Sequence, residues 1–146
     1  MKKSLLQQFE DHLRSQNLRL TDQRKLIVNS FARKKGHVSA EDLYRHIHKT
    51  TPSIGAATVY RTLKLLADAG LASGKNFGDG YVRFECCLQR SAHHDHLICT
   101  RCGKIVEFSN STIEKLQETV ARDHGFLITD HSLDIYGVCQ DCSVKQ

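Results

Sequence analysis

Several features of membrane-bound, exported and disordered chains are missing from this sequence. Its longest uninterrupted apolar runs are only a few residues, and Glu10 and Asp11 stand where a signal peptide would need an apolar stretch. It has one proline in 146 residues, and 40% of its residues are hydrophobic, which argues against a disordered or collagen-like chain. We therefore expect a folded cytoplasmic protein with no membrane segment.

The usual catalytic signatures are missing from the first 80 residues. They contain no H-E-x-x-H zinc-protease motif, no G-x-S-x-G nucleophile motif and no phosphate-binding loop. The length allows one medium domain or two small ones, so a large multidomain enzyme is excluded. We expect a binding protein and not an enzyme.

Cysteine is absent from the first 85 residues, and most of the positive charge lies before residue 80. Residues 1–80 contain 14 Lys and Arg against 7 Asp and Glu, a net charge of +7. Residues 81–146 contain 7 against 9, a net charge of −2, together with all six cysteines and five of the nine histidines. This asymmetry predicts two domains, 1–80 and 81–146, of which the first favours a polyanionic partner and the second favours metal.

Helical periodicity and capping residues predict four helices in the first domain. Apolar residues recur at helical spacing behind Ser4 and behind Thr21, and a third helix begins near Ser39. A fourth helix is predicted over 56–69, and a β-hairpin over 71–86 follows it. Helices followed by a hairpin are the element order of a winged helix-turn-helix.

The second domain has the pattern of a small α/β fold. Short strands are predicted over 96–99 and 104–108, followed by a helix capped by Ser109 or Asn110. A last strand, over about 126–136, precedes the final cysteine pair. The fold class is therefore expected to be α+β, with an N-terminal winged helix-turn-helix and a small C-terminal α/β domain.

Four paired cysteines give the strongest chemical signal in the chain. Cys99-x-x-Cys102 and Cys139-x-x-Cys142 each offer two thiolates about one turn apart, and two such pairs can complete a tetrahedral zinc site. Two disulfides or two unrelated thiol pairs are the alternative, which the reducing cytoplasm disfavours. A site closed by four thiolates has no open coordination position, so its role would be structural.

Residues 93–96, with the sequence His-His-Asp-His, form the second cluster of metal-binding side chains. If the segment is extended, His93 and Asp95 face one side, and His94 and His96 face the other. Each pair needs further ligands, and the nearby candidates are Glu85, Glu107, Glu114 and His131. Imidazole with carboxylate favours Fe(II), Mn(II), Co(II) or Zn(II) over copper(I). A solvated polar loop is the alternative.

The predicted fourth helix carries residues suited to DNA. Thr58, Tyr60 and Arg61 lie near its N-terminal end, where a recognition helix touches base edges and phosphates. Val59 and Leu63 would face the core. Because many winged helices bind proteins and a basic helix is often only a solvated face, these residues alone leave both kinds of partner open.

Three motifs in register closely resemble the ferric uptake regulator (Fur) family. They are His37-Val38-Ser39-Ala40-Glu41-Asp42-Leu43-Tyr44, then Ala57-Thr58-Val59-Tyr60-Arg61, and then the segment from His93 to Lys104 that contains the first cysteine pair. The resemblance covers about residues 18–142. It implies a homodimeric, metal-dependent transcriptional repressor that binds A·T-rich operator DNA, with the C-terminal domain forming the dimer.

The resemblance also implies which residues act. It assigns structural Zn(II) to the four paired cysteines. It implies that Tyr60 meets thymines in the major groove, Arg61 meets phosphate, and Arg19 enters an A·T-rich minor groove. The implied regulatory metal site consists of His37, Glu85, His94, His96 and Glu107. The implied additional metal site consists of His93, Asp95, Glu114 and His131.

The full set of histidines and glutamates favours Fe(II) as the regulatory metal, and hence control of iron-uptake genes. Peroxide-sensing relatives carry Asp where Glu85 and Glu107 stand. Zinc-sensing relatives use a cysteine, which Cys86 or Cys87 could supply, and Mn(II) is a further alternative. Outside the family, the competing classes are a zinc hydrolase built on the histidines and a thiol redox switch built on the paired cysteines.

Overall fold

The structure is a computed structural model that describes residues 2–89 and 93–144. The chain separates into two compact units, Met1–Arg90 and Ser91–Gln146. Each unit has its own three-stranded sheet. The two units are described in turn.

The first unit is a winged helix-turn-helix, as predicted. Its elements are α1 Leu5–Ser15, α2 Asp22–Ala32, β1 Val38–Ser39, α3 Ala40–His48, α4 Ala56–Asp68, β2 Ala72–Asn76 and β3 Val82–Cys86, followed by a 3-10 turn at Cys87–Gln89. The sheet is antiparallel, with the strand order β1-β3-β2.

The predicted capping residues begin three of these helices. Ser4 accepts a hydrogen bond from the Gln7 backbone N–H, and the Gln7 side chain returns one to the Ser4 backbone, which completes a capping box. Thr21 and Ser39 each accept one from the third helical residue of α2 and α3. Local sequence therefore fixes where the helices begin before any tertiary packing is considered.

The core of the first unit is formed by the apolar faces of the four helices and the inner face of the sheet. Phe9, Phe31 and Leu63 are fully buried and belong to three different helices. Val59 and Leu63 point inward from α4, as the helical spacing predicted. This packing holds α4 from behind and leaves its other face exposed.

The boundary between the units differs from the sequence-based boundary at residue 80. Strand β3 pairs with β2 along its whole length and with β1 at its first half, so it completes the sheet of the first unit. The division lies at 90, because the ladder hydrogen bonds of a hairpin keep its second strand with its first.

The second unit is a small α/β fold with little core. Its elements are β4 Asp95–Cys99, β5 Ile105–Phe108, α5 Ser111–Asp123, β6 Asp134–Gly137 and α6 Gln140–Ser143. The strand order is β5-β4-β6, antiparallel between β4 and β5 and parallel between β4 and β6. Among the described residues of this unit, the buried ones are Asp95, His96, Ile98 and Cys99.

The last strand is shorter than the predicted strand over 126–136. Only Asp134–Gly137 is a strand, because its partner β4 has five residues and pairs with it from His96 to Cys99. The apolar residues before it remain exposed, with Phe126 at 74% and Leu127 at 90%. In the described part of the chain, no helix is both long and apolar enough to cross a membrane.

Candidate metal centres and nucleic-acid interface

Both cysteine pairs meet at one end of the second sheet. Cys99 ends β4, and a turn with Gly103 in the left-handed region (φ 73°) brings Cys102 back toward it. Cys139 is the N-cap of α6, and Cys142 follows within that helix. The four sulphur atoms lie within 4.8 Å of one another.

The sulphur geometry suits zinc. Four thiolates at a Zn–S distance of about 2.3 Å place neighbouring sulphurs about 3.8 Å apart. The Cys102 and Cys139 sulphurs are 3.8 Å apart, far beyond the disulfide bond length of about 2.05 Å. All four cysteines are free thiols here, so the disulfide alternative has no geometric support.

The electrostatics of the cluster also favour a cation. The Cys139 backbone N–H donates to Cys99 Sγ at 3.3 Å, and together with the Cys102 N–H it lowers the pKa of Cys99 to about 6. Hydrogen bonds from the Cys142 thiol to the sulphurs of Cys139 and Cys102 raise the pKa of Cys142 to about 12. Four sulphurs this close do not all ionise unaided, and a divalent cation removes that conflict.

A second donor cluster lies on the opposite face of β4 from His96. His93 Nε2 is 3.1 Å from Asp95 Oδ1 and 3.6 Å from Glu114 Oε1, and His131 Nε2 is 3.1 Å from Glu114 Oε2. Asp95 is fully buried, and its Oδ2 has no hydrogen-bond partner among residues 2–89 and 93–144. Burying a carboxylate is costly without compensation, so these four side chains fit a bound cation.

Three of the predicted regulatory ligands come together within the second unit. His94 Nε2 lies 3.7 Å from Glu107 Oε1, and the rings of His94 and His96 are 5.1 Å apart between centroids. One donor atom from each of these three side chains lies within 4.8 Å of the others. The alternation of residues 93–96 thus separates two donor sets, as the sequence predicted.

The other two predicted regulatory ligands lie together in the first unit. His37 precedes β1 and Glu85 is in β3, and the register Val38↔Phe84 makes their backbones neighbours. His37 Nε2 is 3.6 Å from Glu85 Oε2, and both side chains are buried. The His37 ring also meets Phe77 edge to face at 5.3 Å between centroids. This pair gives the first unit two metal-binding donors on a rigid sheet edge.

Helix α4 presents the predicted DNA-binding residues. Tyr60 is 50% exposed, Arg61 is exposed, and Thr58 is half-buried with its carbonyl accepting the Thr62 hydroxyl at 2.8 Å. A cleft of about 260 Å³ between the starts of α2 and α4 is lined by Arg19, Thr58 and Arg61 among others. The structure thus brings three of the four predicted residues to one cleft, with Tyr60 nearby on α4.

Arg24 was not singled out by the sequence, although it lines the same cleft. Its guanidinium Nη1 donates to the Arg19 carbonyl at 2.5 Å and so ties the segment before α2 to that helix. Asp134 was also missed: its Oδ1 lies 3.1 Å from His96 Nδ1. The signal for Asp134 is the β4–β6 register, which pairs residues 38 positions apart and is not visible in local patterns.

A winged helix with an exposed basic recognition face, joined to a unit that clusters metal-binding side chains, defines a metal-responsive DNA-binding regulator. A model of the ferric uptake regulator family matches residues 15–136, and the chain belongs to that family. Regulators of this family bind operator DNA, form dimers and are not enzymes.

Individual relatives agree with this assignment. The ferric uptake regulation protein of Campylobacter jejuni subsp. jejuni is 41% identical over 141 residues, which cover 95% of this chain and 88% of that protein. The Helicobacter pylori ferric uptake regulator, described as having three functional metal binding sites, is 27% identical with a TM-score of 0.83 and coverage of 98% and 97%. A zinc-bound manganese uptake regulator is 40% identical with a TM-score of 0.74 and coverage of 90% and 98%.

Proposed function

We propose that the protein is an Fe(II)-dependent repressor of iron-uptake genes that works as a cytoplasmic homodimer. The observation that carries this proposal is the grouping of His94, His96 and Glu107 in one unit and of His37 and Glu85 in the other. Imidazole and carboxylate donors suit Fe(II), whereas sulphur donors would favour softer ions. The cysteines Cys99, Cys102, Cys139 and Cys142 hold structural Zn(II) in this proposal.

Neither regulatory donor group is sufficient alone. Two donors in the first unit and three in the second each leave coordination positions open, and together they provide five. When bound, Fe(II) supplies a shared positive charge that stabilises the arrangement of the units in which all five donors can reach it. Ligand binding shifts a conformational equilibrium only through such differential affinity. We propose that this arrangement fits the two recognition helices of a dimer to operator DNA.

The DNA interface in this proposal is the exposed face of α4 with the segment before α2. Tyr60 reads thymines in the major groove, Arg61 contacts phosphate, and Arg19 enters the narrow minor groove of A·T-rich DNA, whose negative potential attracts arginine. Thr58 lies at the N-terminal end of the same helix, within reach of the backbone. The exposure of these side chains and the net charge of +7 over residues 1–80 support this assignment.

A second copy of the chain is the partner we propose for the exposed face of α5. This helix has no buried residue, and Leu116 and Val120 on it are about 60% exposed. With Phe126 and Leu127 they line an apolar groove of about 760 Å³. A unit of 56 residues with so few buried side chains needs metal, a partner or both to be stable. An isologous dimer would cover this face in both copies at once.

A titration of DNA affinity with metal tests the regulatory metal. Protein that retains its four-cysteine zinc is titrated anaerobically with Fe(II), Mn(II) or Zn(II) at fixed salt, and its affinity for A·T-rich operator DNA is measured. We expect Fe(II) at about micromolar free concentration to raise affinity by about 5–150-fold, the usual range of coupling between two sites. Mn(II) should substitute in part, because it accepts the same donors.

The same titration separates the competing metals. A rise in affinity only with Zn(II), at far lower free concentration, would contradict the iron assignment and make this a zinc sensor. Cys87, two residues from Glu85, would then be the first residue to test as a ligand. The zinc-bound manganese uptake regulator among its relatives is the reason to include all three ions.

Arg61→Ala tests the DNA-binding face. Removing one phosphate contact should weaken operator binding uniformly across sequences and reduce the slope of log affinity against log salt by about one. Fluorescence anisotropy between about 50 and 200 mM salt measures both quantities. Lys115→Ala is the matched control, since it removes the same charge from the exposed surface of α5. Equal salt slopes for Arg61→Ala and wild type would contradict the proposed contact.

A further inference from the structure

We infer that Asp134 orients His96 for the regulatory metal, as a positioning residue that is not itself a ligand. The inference deepens the proposed function, because it concerns the same regulatory site. It concerns only contacts within the second unit. Neither the sequence motifs nor the ligand set of the resemblance includes this aspartate.

Sheet register places three polar side chains in one row across the second sheet. His96 in the central strand β4 pairs with Glu107 of β5 on one side and with Asp134 of β6 on the other. Registered partners on adjacent strands project from the same face of a sheet. His96 therefore lies between two carboxylates, one on each flank.

The contact with Asp134 determines how the His96 ring is used. His96 Nδ1 lies 3.1 Å from Asp134 Oδ1, and both side chains are largely buried. An ionised carboxylate only accepts hydrogen bonds, so the hydrogen between these atoms belongs to Nδ1. In neutral imidazole the lone pair is then on Nε2, which becomes the atom that binds metal.

Asp134 stands apart from the ligands themselves. Donor atoms of His94, His96 and Glu107 lie within 4.8 Å of one another, and Asp134 is not part of that group. Adjacent strands are about 4.8 Å apart, so the backbones of Glu107 and Asp134 are separated by about twice that distance. A carboxylate hydrogen-bonded to a ligating histidine fixes its tautomer and increases its basicity, and losing it weakens metal binding by about 10–100-fold.

Metal affinity of two variants tests this role. Asp134→Ala removes the acceptor, whereas Asp134→Asn keeps a neutral acceptor oxygen for the Nδ1 hydrogen. With the four-cysteine zinc in place, Co(II) binding followed by visible absorption should weaken by about 10–100-fold in Asp134→Ala and clearly less in Asp134→Asn. Asp123→Ala, which removes an exposed carboxylate at the end of α5, is the matched control and should bind as wild type does.

The tautomer of His96 provides a readout that a purely structural role would not move. Long-range proton–nitrogen NMR correlations of protein that holds only the four-cysteine zinc distinguish Nδ1–H from Nε2–H, and His96→Gln assigns the signal. We expect the Nδ1–H form in wild type and Asp134→Asn, and a loss of that preference in Asp134→Ala.

The outcomes that would overturn the inference differ from one that would overturn the proposed function. Equal Co(II) affinity in wild type and Asp134→Ala would exclude a positioning role. A loss in Asp134→Asn as large as in Asp134→Ala, with the tautomer unchanged, would make the carboxylate a ligand. Wild-type protein that binds no second ion would instead contradict the regulatory site, while the tautomer would still report on the contact with Asp134.

Discussion

Cys102→Ser is expected to abolish zinc binding at the four-cysteine cluster and to unfold the second unit. Structural zinc sites contribute an apparent binding free energy of about 10–16 kcal/mol at neutral pH, which equals or exceeds the stability of a typical domain. The second unit has few buried side chains with which to offset that loss. Zinc content per chain and thermal unfolding followed by circular dichroism measure the two effects.

Cys102 is the most informative of the four positions because it is exposed, so serine there changes the core least. Cys87→Ser is the matched control, since Cys87 is a partly buried cysteine outside the cluster. It should keep one zinc ion per chain and the wild-type melting temperature. Retention of one tightly bound zinc ion by Cys102→Ser, with unchanged melting, would show that the four cysteines are not the structural site.

Zinc uptake at this cluster should also release protons. The pKa of Cys142 is raised to about 12, so its thiol is protonated near neutral pH in the metal-free protein. Zinc binds thiolates, and its affinity therefore rises with pH below that value. The same reasoning explains why a lone pair of these cysteines would not ionise as readily as the complete set does around a cation.

Features that depend on short stretches of chain could be predicted from the sequence. Ser4, Thr21 and Ser39 cap helices because their side chains accept hydrogen bonds from N–H groups three residues later. The separation of His93 and Asp95 from His94 and His96 follows from the two-residue period of a strand. Both rules act within a few residues and need no knowledge of the partner strands.

Features set by pairing between distant strands could not be predicted in the same way. The apolar residues 126–133 have the composition of a strand, but β4 offers them no register partner. The boundary at residue 80 failed because charge and cysteine content change there while the hairpin continues to Cys86. Asp134 escaped notice because its role depends on the neighbour that sheet register gives it.

His37→Ala is expected to uncouple metal binding from DNA binding, the second large effect. His37 is one of only two proposed regulatory donors in the first unit, and its partner Glu85 would remain buried without it. His94, His96 and Glu107 stay intact in the second unit, so the variant should still bind Fe(II), although more weakly. We expect the metal-induced gain in operator affinity, about 5–150-fold in wild type, to disappear. Anaerobic anisotropy with and without saturating Fe(II) measures this gain.

The uncoupling matters more than the loss of metal affinity, because only a residue linking the metal to the DNA-binding unit separates the two. Saturating the variant with Fe(II) removes weaker binding as an explanation, and its metal-free DNA affinity should equal that of wild type. His46→Ala, an exposed histidine on α3, is the matched control and should keep the full gain. If Fe(II)-saturated His37→Ala gains operator affinity as wild type does, the metal does not act through His37. Regulation would then have to arise within the second unit, where the metal could change only the dimer and not the orientation of the recognition helices.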